Sequence, residues 1–228
     1  TSYKDGLPVA DKLVHALRYT LILSVGSLAV SLIAALPLSV ISAVKKDGLL
    51  DNVVRFLSFI GNSLPNFLIS VLLMYFFCIR TKLLPVIAEE NLKGLIMPCL
   101  ALAIPMCSRF IRQFRAEILE QLGRDYVLGA RARGVNSLTI LFKNVLHNAM
   151  IPILTIIALS VGTLLGGSVV VETIFRWPGL GKLVMDSISV RDYPVIQGFV
   201  IFTSCVYVLI NLAADICYRR LDPRVEEM

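Results

Sequence analysis

Five cysteines and two histidines are the side chains here most suited to hold a metal or act as nucleophiles. Cys78, Cys99, Cys107, Cys205 and Cys217 lie in or beside apolar runs with no Cys-x-x-Cys spacing, the pattern of small buried hydrophobes. His15 and His147 stand too far apart in sequence to argue for a metal cage, so no metal ligand is assigned. No G-x-x-x-x-G-K-[ST] occurs, so this chain is not expected to hydrolyse nucleotide itself. Neither a Ser/His/Asp set nor paired carboxylates stand out, and no catalytic residue is assigned. The pattern that does stand out is basic and small-residue-rich: Asp125-Tyr126-Val127-Leu128-Gly129-Ala130-Arg131-Ala132-Arg133-Gly134-Val135-Asn136-Ser137-Leu138, running on through Lys143 and His147 to Pro152. About thirty organised residues between two apolar stretches exceed what a simple turn needs, and suggest a docking surface for a soluble partner.

Residue by residue, Asp125 can N-cap a helix over 126–133, and Gly134 can take the left-handed conformation that closes it. Asn136 or Ser137 can cap a second helix, on which Leu138, Leu141, Phe142, Val145 and Leu146 form an apolar stripe. Helix, glycine turn and helix would also fit a DNA reader with Arg131, Arg133 and Lys143 on phosphates. Direct attachment to apolar stretches on both sides argues against that, and no nucleic acid is expected. A plain solvated basic loop is the duller alternative. Gly129, Ala130 and Ala132 speak against it, because they leave a helix face smooth enough for close packing.

The elements that must position this segment are membrane spans. A spanning helix needs about 20 apolar residues. Residues 19–44, 56–79, 144–171 and 193–214 carry no charge, and a shorter run, 94–108, meets Arg109, Arg112 and Arg115, which can snorkel to an interface. With 57% hydrophobic residues and a mean hydropathy of +0.78, the chain is too apolar for an ordinary soluble domain. Five spans put the two ends on opposite sides. One side then holds thirteen basic residues, including Lys45, Lys46, Arg55, Arg109–Arg133, Lys143 and Arg219–Arg224; the other holds nine. The positive-inside tendency therefore assigns the segment around 113–148 and the C-terminus to the cytoplasm. Val9, Leu13, Ala16 and Leu17 share a face, which predicts an interfacial helix over 8–18 leading into the first span. A start at Thr1, outside, suggests an earlier span that is missing. The whole of 1–228 reads as one transmembrane domain.

Other residues have both a transport reading and a packing reading. Gly162 and Gly166 form a G-x-x-x-G spacing that permits close helix approach, with Gly167 beside them. Pro65 and Pro105 can break or kink their spans. Asn62, Asn66 and Asn211 suit interhelical hydrogen bonds, and Asp215 suits a partner one turn on, Arg219. The long loop over 172–192 contains Trp177-Pro178-Gly179, with its own turn chemistry. Trp177 can sit at the membrane interface.

The segment around Gly134 resembles the coupling region of permease subunits in binding-protein-dependent ABC importers. That pattern is Glu-Ala-Ala, three residues, Gly, then about ten residues to Ile-x-Leu-Pro. Ala130 matches the second alanine, Gly134 the glycine and Leu146 the later leucine, whereas Leu128, Gly129 and His147 depart from it. These departures, with the strings His147–Pro152, Val170–Gly181, Arg191–Gly198 and Leu221–Arg224, resemble the dipeptide, oligopeptide and nickel permease family over nearly the whole chain. The resemblance implies an all-α, type I importer permease fold with five visible transmembrane helices and one further N-terminal span, in a bacterial inner membrane. It implies half of a pathway for peptides, with nickel or a metal chelate as the alternative solute. A second permease, two ATPase subunits and an external solute-binding protein are the implied partners, with ATP and magnesium held by the ATPases. Leu128–Asn136 are then the residues that couple to the ATPase. Glu172, Trp177, Pro178 and Gly179 are candidates for contact with the binding protein. Gly162, Gly166 and Gly167 are candidates for the pathway or for helix packing. An ion-coupled secondary transporter is the alternative of another class. It would need carboxylates in the span cores, which hold almost none.

Overall fold

The computed structural model describes residues 1–85 and 91–221, the side chains at 163, 165–167, 213–215 and 217–221 excepted. Every regular element among them is helical. α1 (Val9–Val44) is a single helix of 36 residues, about 54 Å long at 1.5 Å per residue. The separate interfacial helix expected over 8–18 is instead the start of α1. Leu13 and Ala16 are buried against Leu180, so this stretch packs on protein and has no reason to lie flat in an interface.

α2 (Leu49–Ser63) and α3 (Asn66–Met74, prolonged by a π-helical turn at Tyr75–Arg80) meet at 99°. The charge-free run over 56–79 is therefore broken at Pro65, where a break or kink was expected. Leu64, at φ −85° and ψ 126°, leaves the helical region as residues before proline tend to, and Pro65 has no N–H to continue the ladder. Pro105 behaves differently. It lies with Pro98 inside α4 (Leu92–Leu122), which runs on as one helix through Arg109, Arg112 and Arg115. α5 (Asp125–Ala132) follows. α6 (Ser137–Thr139) passes through a π-helical turn at Ile140–Val145 into α7 (Leu146–Phe175). α8 (Leu180–Ser189) and α9 (Tyr193–Leu221) complete the order. Among the described residues, four helical stretches are long and apolar enough to cross a membrane, or five if the bent α2–α3 pair is one span, in line with the five expected.

α4 is the central helix, packed on α1, α2, α3 and α7. Its stacked Phe110 and Phe114 and its Ile118 are fully buried, and they meet Ala35 and Ala43 of α1 with Val145, Ala149 and Ile153 beyond α6. A second cluster gathers Leu23, Met97, Leu102, Val171, Phe175 and Trp177 towards the α8 end. Many aliphatic side chains point outward, among them Ile33, Val25, Val200 and Leu209, as a bilayer-facing surface requires.

Candidate functional site

α5 is a short helix held by two side chains. Val127 and Ala130, three positions apart, are buried in the cluster with Phe114, Ile118, Ile140 and Val145. They fasten α5 to α4 and to the start of the α6–α7 run. The helix starts one residue before the position expected. Arg124, extended at φ −76° and ψ 151°, is the N-cap and makes no side-chain cap, and Asp125 is the first helical residue. There its carboxylate still favours the positive end of the helix.

The closing turn is a complete Schellman motif. Gly134 N–H donates to Arg131 O at 2.9 Å and Val135 N–H to Ala130 O at 3.1 Å, with Gly134 at φ +76°. Asn136 then caps the next helix, its Oδ1 accepting from Leu138 N–H at 3.0 Å. The two ends of a four-residue connection are thus both hydrogen-bonded, and the angle between α5 and α6 is set locally.

What remains outside is the face built by Leu128, Arg131, Ala132, Arg133, Gly134 and Asn136, all exposed, with Gly129 and Val135 half-buried. Leu138 and Phe142 join it. The stripe expected to bury Leu138, Leu141, Phe142, Val145 and Leu146 together is divided: Leu141 and Val145 are buried, whereas Leu138 is 63% and Phe142 64% exposed. Residues four apart stay together, Leu138 with Phe142 outside and Leu141 with Val145 inside, so the stripe is two adjacent rows of which only one faces the core. Leu128, 59% exposed, adds an apolar side chain to this exposed segment, which also carries Arg131 and Arg133.

This end of the bundle also contains a buried ion pair that the sequence did not advertise. Asp51 of α2 is inaccessible. Arg115 of α4 grips it with Nε to Oδ1 at 2.8 Å and Nη2 to Oδ2 at 2.6 Å. Ser42 Oγ of α1 donates to the same carboxylate, and Asp47 N–H donates to Oδ2 at 2.9 Å. The Arg115 guanidinium, ahead of the Ser42 and Asp47 donors, holds the Asp51 carboxyl well below the usual carboxylate range despite burial. One carboxylate therefore joins α1, α2 and α4.

At the far end of α7, Glu172, Trp177, Pro178 and Gly179 form part of an interior knot. Glu172 is inaccessible. Its Oε1 accepts from Thr20 Oγ1 at 2.9 Å, and its Oε2 accepts from Gly181 N–H at 2.7 Å and Lys182 N–H at 3.3 Å. The carboxylate thus caps the N-terminus of α8, where unpaired amides and the helix dipole favour negative charge. Thr20 Oγ1 also accepts from Leu180 N–H at 2.8 Å. Trp177, expected at a membrane interface or on a partner, is 3% exposed; its Nε1–H donates to Tyr19 O at 3.0 Å and its ring meets Tyr19 edge-on. Gly179 is buried and Pro178 half-buried. A Cβ on Gly181 would lie 2.4 Å from Val169 Cα, and one on Gly179 2.5 Å from Glu172 Cδ, so the knot closes only around glycine. The loop expected over 172–192 is mostly helix.

Gly162 lies against α9, where an added Cβ would come 3.1 Å from Tyr207 Cε2 and 3.6 Å from Asn211 Oδ1. This is close packing within the chain. Side chains at Gly166, Gly167, Asp215 and Arg219 lie outside the described set, as do residues 222–228. Cys78 and Cys99 are buried free thiols, as expected, whereas Cys205 is exposed on α9. Asp51 is the functional-looking group that sequence reading missed, whereas Glu172 was singled out for contact with the binding protein and not for its place in a buried knot. The signal available was a lone acid next to an otherwise basic or apolar stretch.

Residues 35–227 match the family model described as the binding-protein-dependent transport system inner membrane component. The chain is 38% identical to a probable peptide ABC transporter permease of Sinorhizobium fredii, over 96% of this chain and 73% of that protein. It is 36% identical to the glutathione transport system permease of Escherichia coli K12, over 96% and 71% respectively. Among solved structures it resembles the MetNI methionine ABC transporter in inward-facing conformations, with a TM-score of 0.76 and 18% identity over 92% of this chain and 96% of that one. An amino acid ABC transporter gives a TM-score of 0.75 at 16% identity, over 92% and 94%. Helical architecture and relatives together define a type I importer permease. The chain belongs to the binding-protein-dependent inner membrane permease family, a multi-pass transport subunit of the inner membrane.

Proposed function

We propose that this chain forms half of the translocation pathway of an ATP-driven peptide importer, and that α5 is its docking element for a separate ATPase subunit. The observation that carries the docking role is the division of α5. Val127 and Ala130 are fixed in the core, and both ends of the turn that follows α5 are tied by hydrogen bonds. Leu128, Arg131 and Arg133 are left outward beside Leu138 and Phe142. A force applied to the outer face is then delivered to α4 and α7 rather than absorbed by a mobile loop. ATP and magnesium belong to the ATPase subunits, and a second permease and an external binding protein complete the assembly. The basic-residue asymmetry supports a cytoplasmic α5 and C-terminus, and an external α8. Glu172, Trp177, Pro178 and Gly179 hold the external hairpin in shape for the binding protein, with their side chains turned inward.

Peptide is favoured over nickel or a metal chelate by the peptide and glutathione names of the relatives. The family match weighs against an ion-coupled secondary transporter. The test is co-purification of the ATPase subunits with Leu128→Asp, which puts a charge on the exposed face of α5 without touching the core. Loss of the ATPase with normal membrane insertion is expected. Retention of ATPase and of peptide uptake at the wild-type rate would overturn the docking role of α5.

A further inference from the structure

We propose that the open cavity bordered by the ends of α1 and α4 together with α5 and α6 is a binding site for an anionic phospholipid headgroup. The cavity measures about 420 Å³, within the size range of small-ligand sites. Its walls are mostly aliphatic, with Ala43 and Val44 from α1, Leu119 and Leu122 from α4, and Leu138 and Leu141 from the α6 run, and Ser137 adds a hydroxyl. Two cations reach it from different elements, Lys46 from the turn after α1 and Arg131 from α5. No carboxylate lines it, and among the described residues neither cation enters an ion pair, whereas Arg115 and Arg124 both do.

An apolar lining with two unneutralised cations at its edge matches a group that is anionic at one end and hydrocarbon at the other. Depth favours lipid over a soluble anion. Ala43 and Val44 end the charge-free run over 19–44 and Lys46 lies just beyond it, which is where the phosphate layer lies relative to the hydrocarbon. Basic pockets between transmembrane helices recognise acidic headgroups on this principle. An occupant would touch α1, α4 and α5 together, and so would bear on the posture of the docking helix. The assignment relies on the topology proposed above only for which leaflet supplies the lipid.

The test reads retained lipid, which needs no ATP turnover; because Arg131 and Leu138 also lie on the face proposed for the ATPase, retention is compared only among assemblies that keep the ATPase. The assembled transporter is placed in bilayer discs of phosphatidylethanolamine with a minor fraction of phosphatidylglycerol, extracted in mild detergent, and its bound lipid identified by native mass spectrometry. Wild type should retain phosphatidylglycerol in preference to phosphatidylethanolamine. In Lys46→Gln/Arg131→Gln, retention should fall about tenfold or more, since each surface cation contributes about a factor of five or more to such binding. Leu122→Trp, which fills the cavity with the charges intact, should also lower retention among intact assemblies. Arg133→Gln removes an equal charge outside the cavity and should retain phosphatidylglycerol normally. Unchanged retention in the double variant, or an equal loss in Arg133→Gln, would overturn the site. So would release of the ATPase from most of the double variant with lipid retention intact in the assemblies that keep it, which would give the two cations to a protein partner.

Discussion

Gly134 is strained for any other common residue by backbone geometry alone. Its φ is +76°, yet an added Cβ would meet no atom within 4 Å. Gly134→Val should therefore cost about 1–2 kcal/mol through the left-handed backbone. It should lower ATPase co-purification and peptide uptake in proteoliposomes, while Gly134→Asn, which tolerates that region better, stays near wild type. Equal behaviour of the two variants would show that the turn does not set the docking angle. Arg176 is the converse case. A non-glycine residue at φ 57° closes α7, and Arg176→Gly should raise thermal stability by up to about 1 kcal/mol. Asp51 gives a pH dependence. Its folded pKa lies below the unfolded value of about 3.9, so its stabilisation is complete above that value and is lost as pH falls through the folded value. Wild type should lose stability between about pH 5 and 2 more steeply than Asp51→Asn, which has no carboxylate to protonate there; parallel profiles would remove the ion pair from the account. Gly134 was legible in the sequence because a cap needs only neighbouring residues. Asp51 with Arg115, and Glu172 with Thr20, were not, because each pair joins residues far apart in the chain and leaves no periodic trace.

The spans show where sequence reasoning succeeds among elements. Charge-free runs locate α1, α4, α7 and α9 because desolvating a charge is costly wherever it falls in hydrocarbon. The 99° break at Leu64–Pro65 was visible as a proline but not as an angle, and Pro105, an equal candidate, leaves α4 unbroken. What distinguishes the two is packing: α4 has α1, α2, α3 and α7 around it, whereas Ser63, Pro65 and Phe67 at the α2–α3 corner are exposed. The divided apolar stripe after Asn136 was missed because periodicity marks an apolar side of a helix but not which of its two adjacent rows the core will cover. For α5 itself, Gly129→Ala places a methyl at an ordinary 3.7 Å from Arg133 Nη1. The change should favour the isolated helix by roughly 0.5–1 kcal/mol. If the partner approaches the backbone at Gly129, ATPase affinity should nevertheless fall, as measured by titration of the reconstituted permease. Unchanged affinity would confine close approach to Ala132 and Gly134.

For the whole molecule, topology is the first quantity to measure. Cysteine probes at Asn136 should react only with reagent admitted to the cytoplasm, and probes at the exposed Val190 only from outside. Labelling of Asn136 from outside intact cells would invert the orientation. The unbroken length of α1 has a mechanical consequence. Thr20 sits in the Glu172 knot near one membrane face, and Ser42 sits in the Asp51–Arg115 clamp near the other. Both belong to one rod, about 33 Å apart at 1.5 Å per residue. A tilt of about ten degrees around its midpoint would move the two ends in opposite directions by about 3 Å each, beyond what a hydrogen bond tolerates. α1 cannot rock on its own without breaking a buried polar contact at one face or the other. It must carry α4 and the α7–α8 corner with it, which leaves the α2–α3 elbow as the place where the bundle can flex.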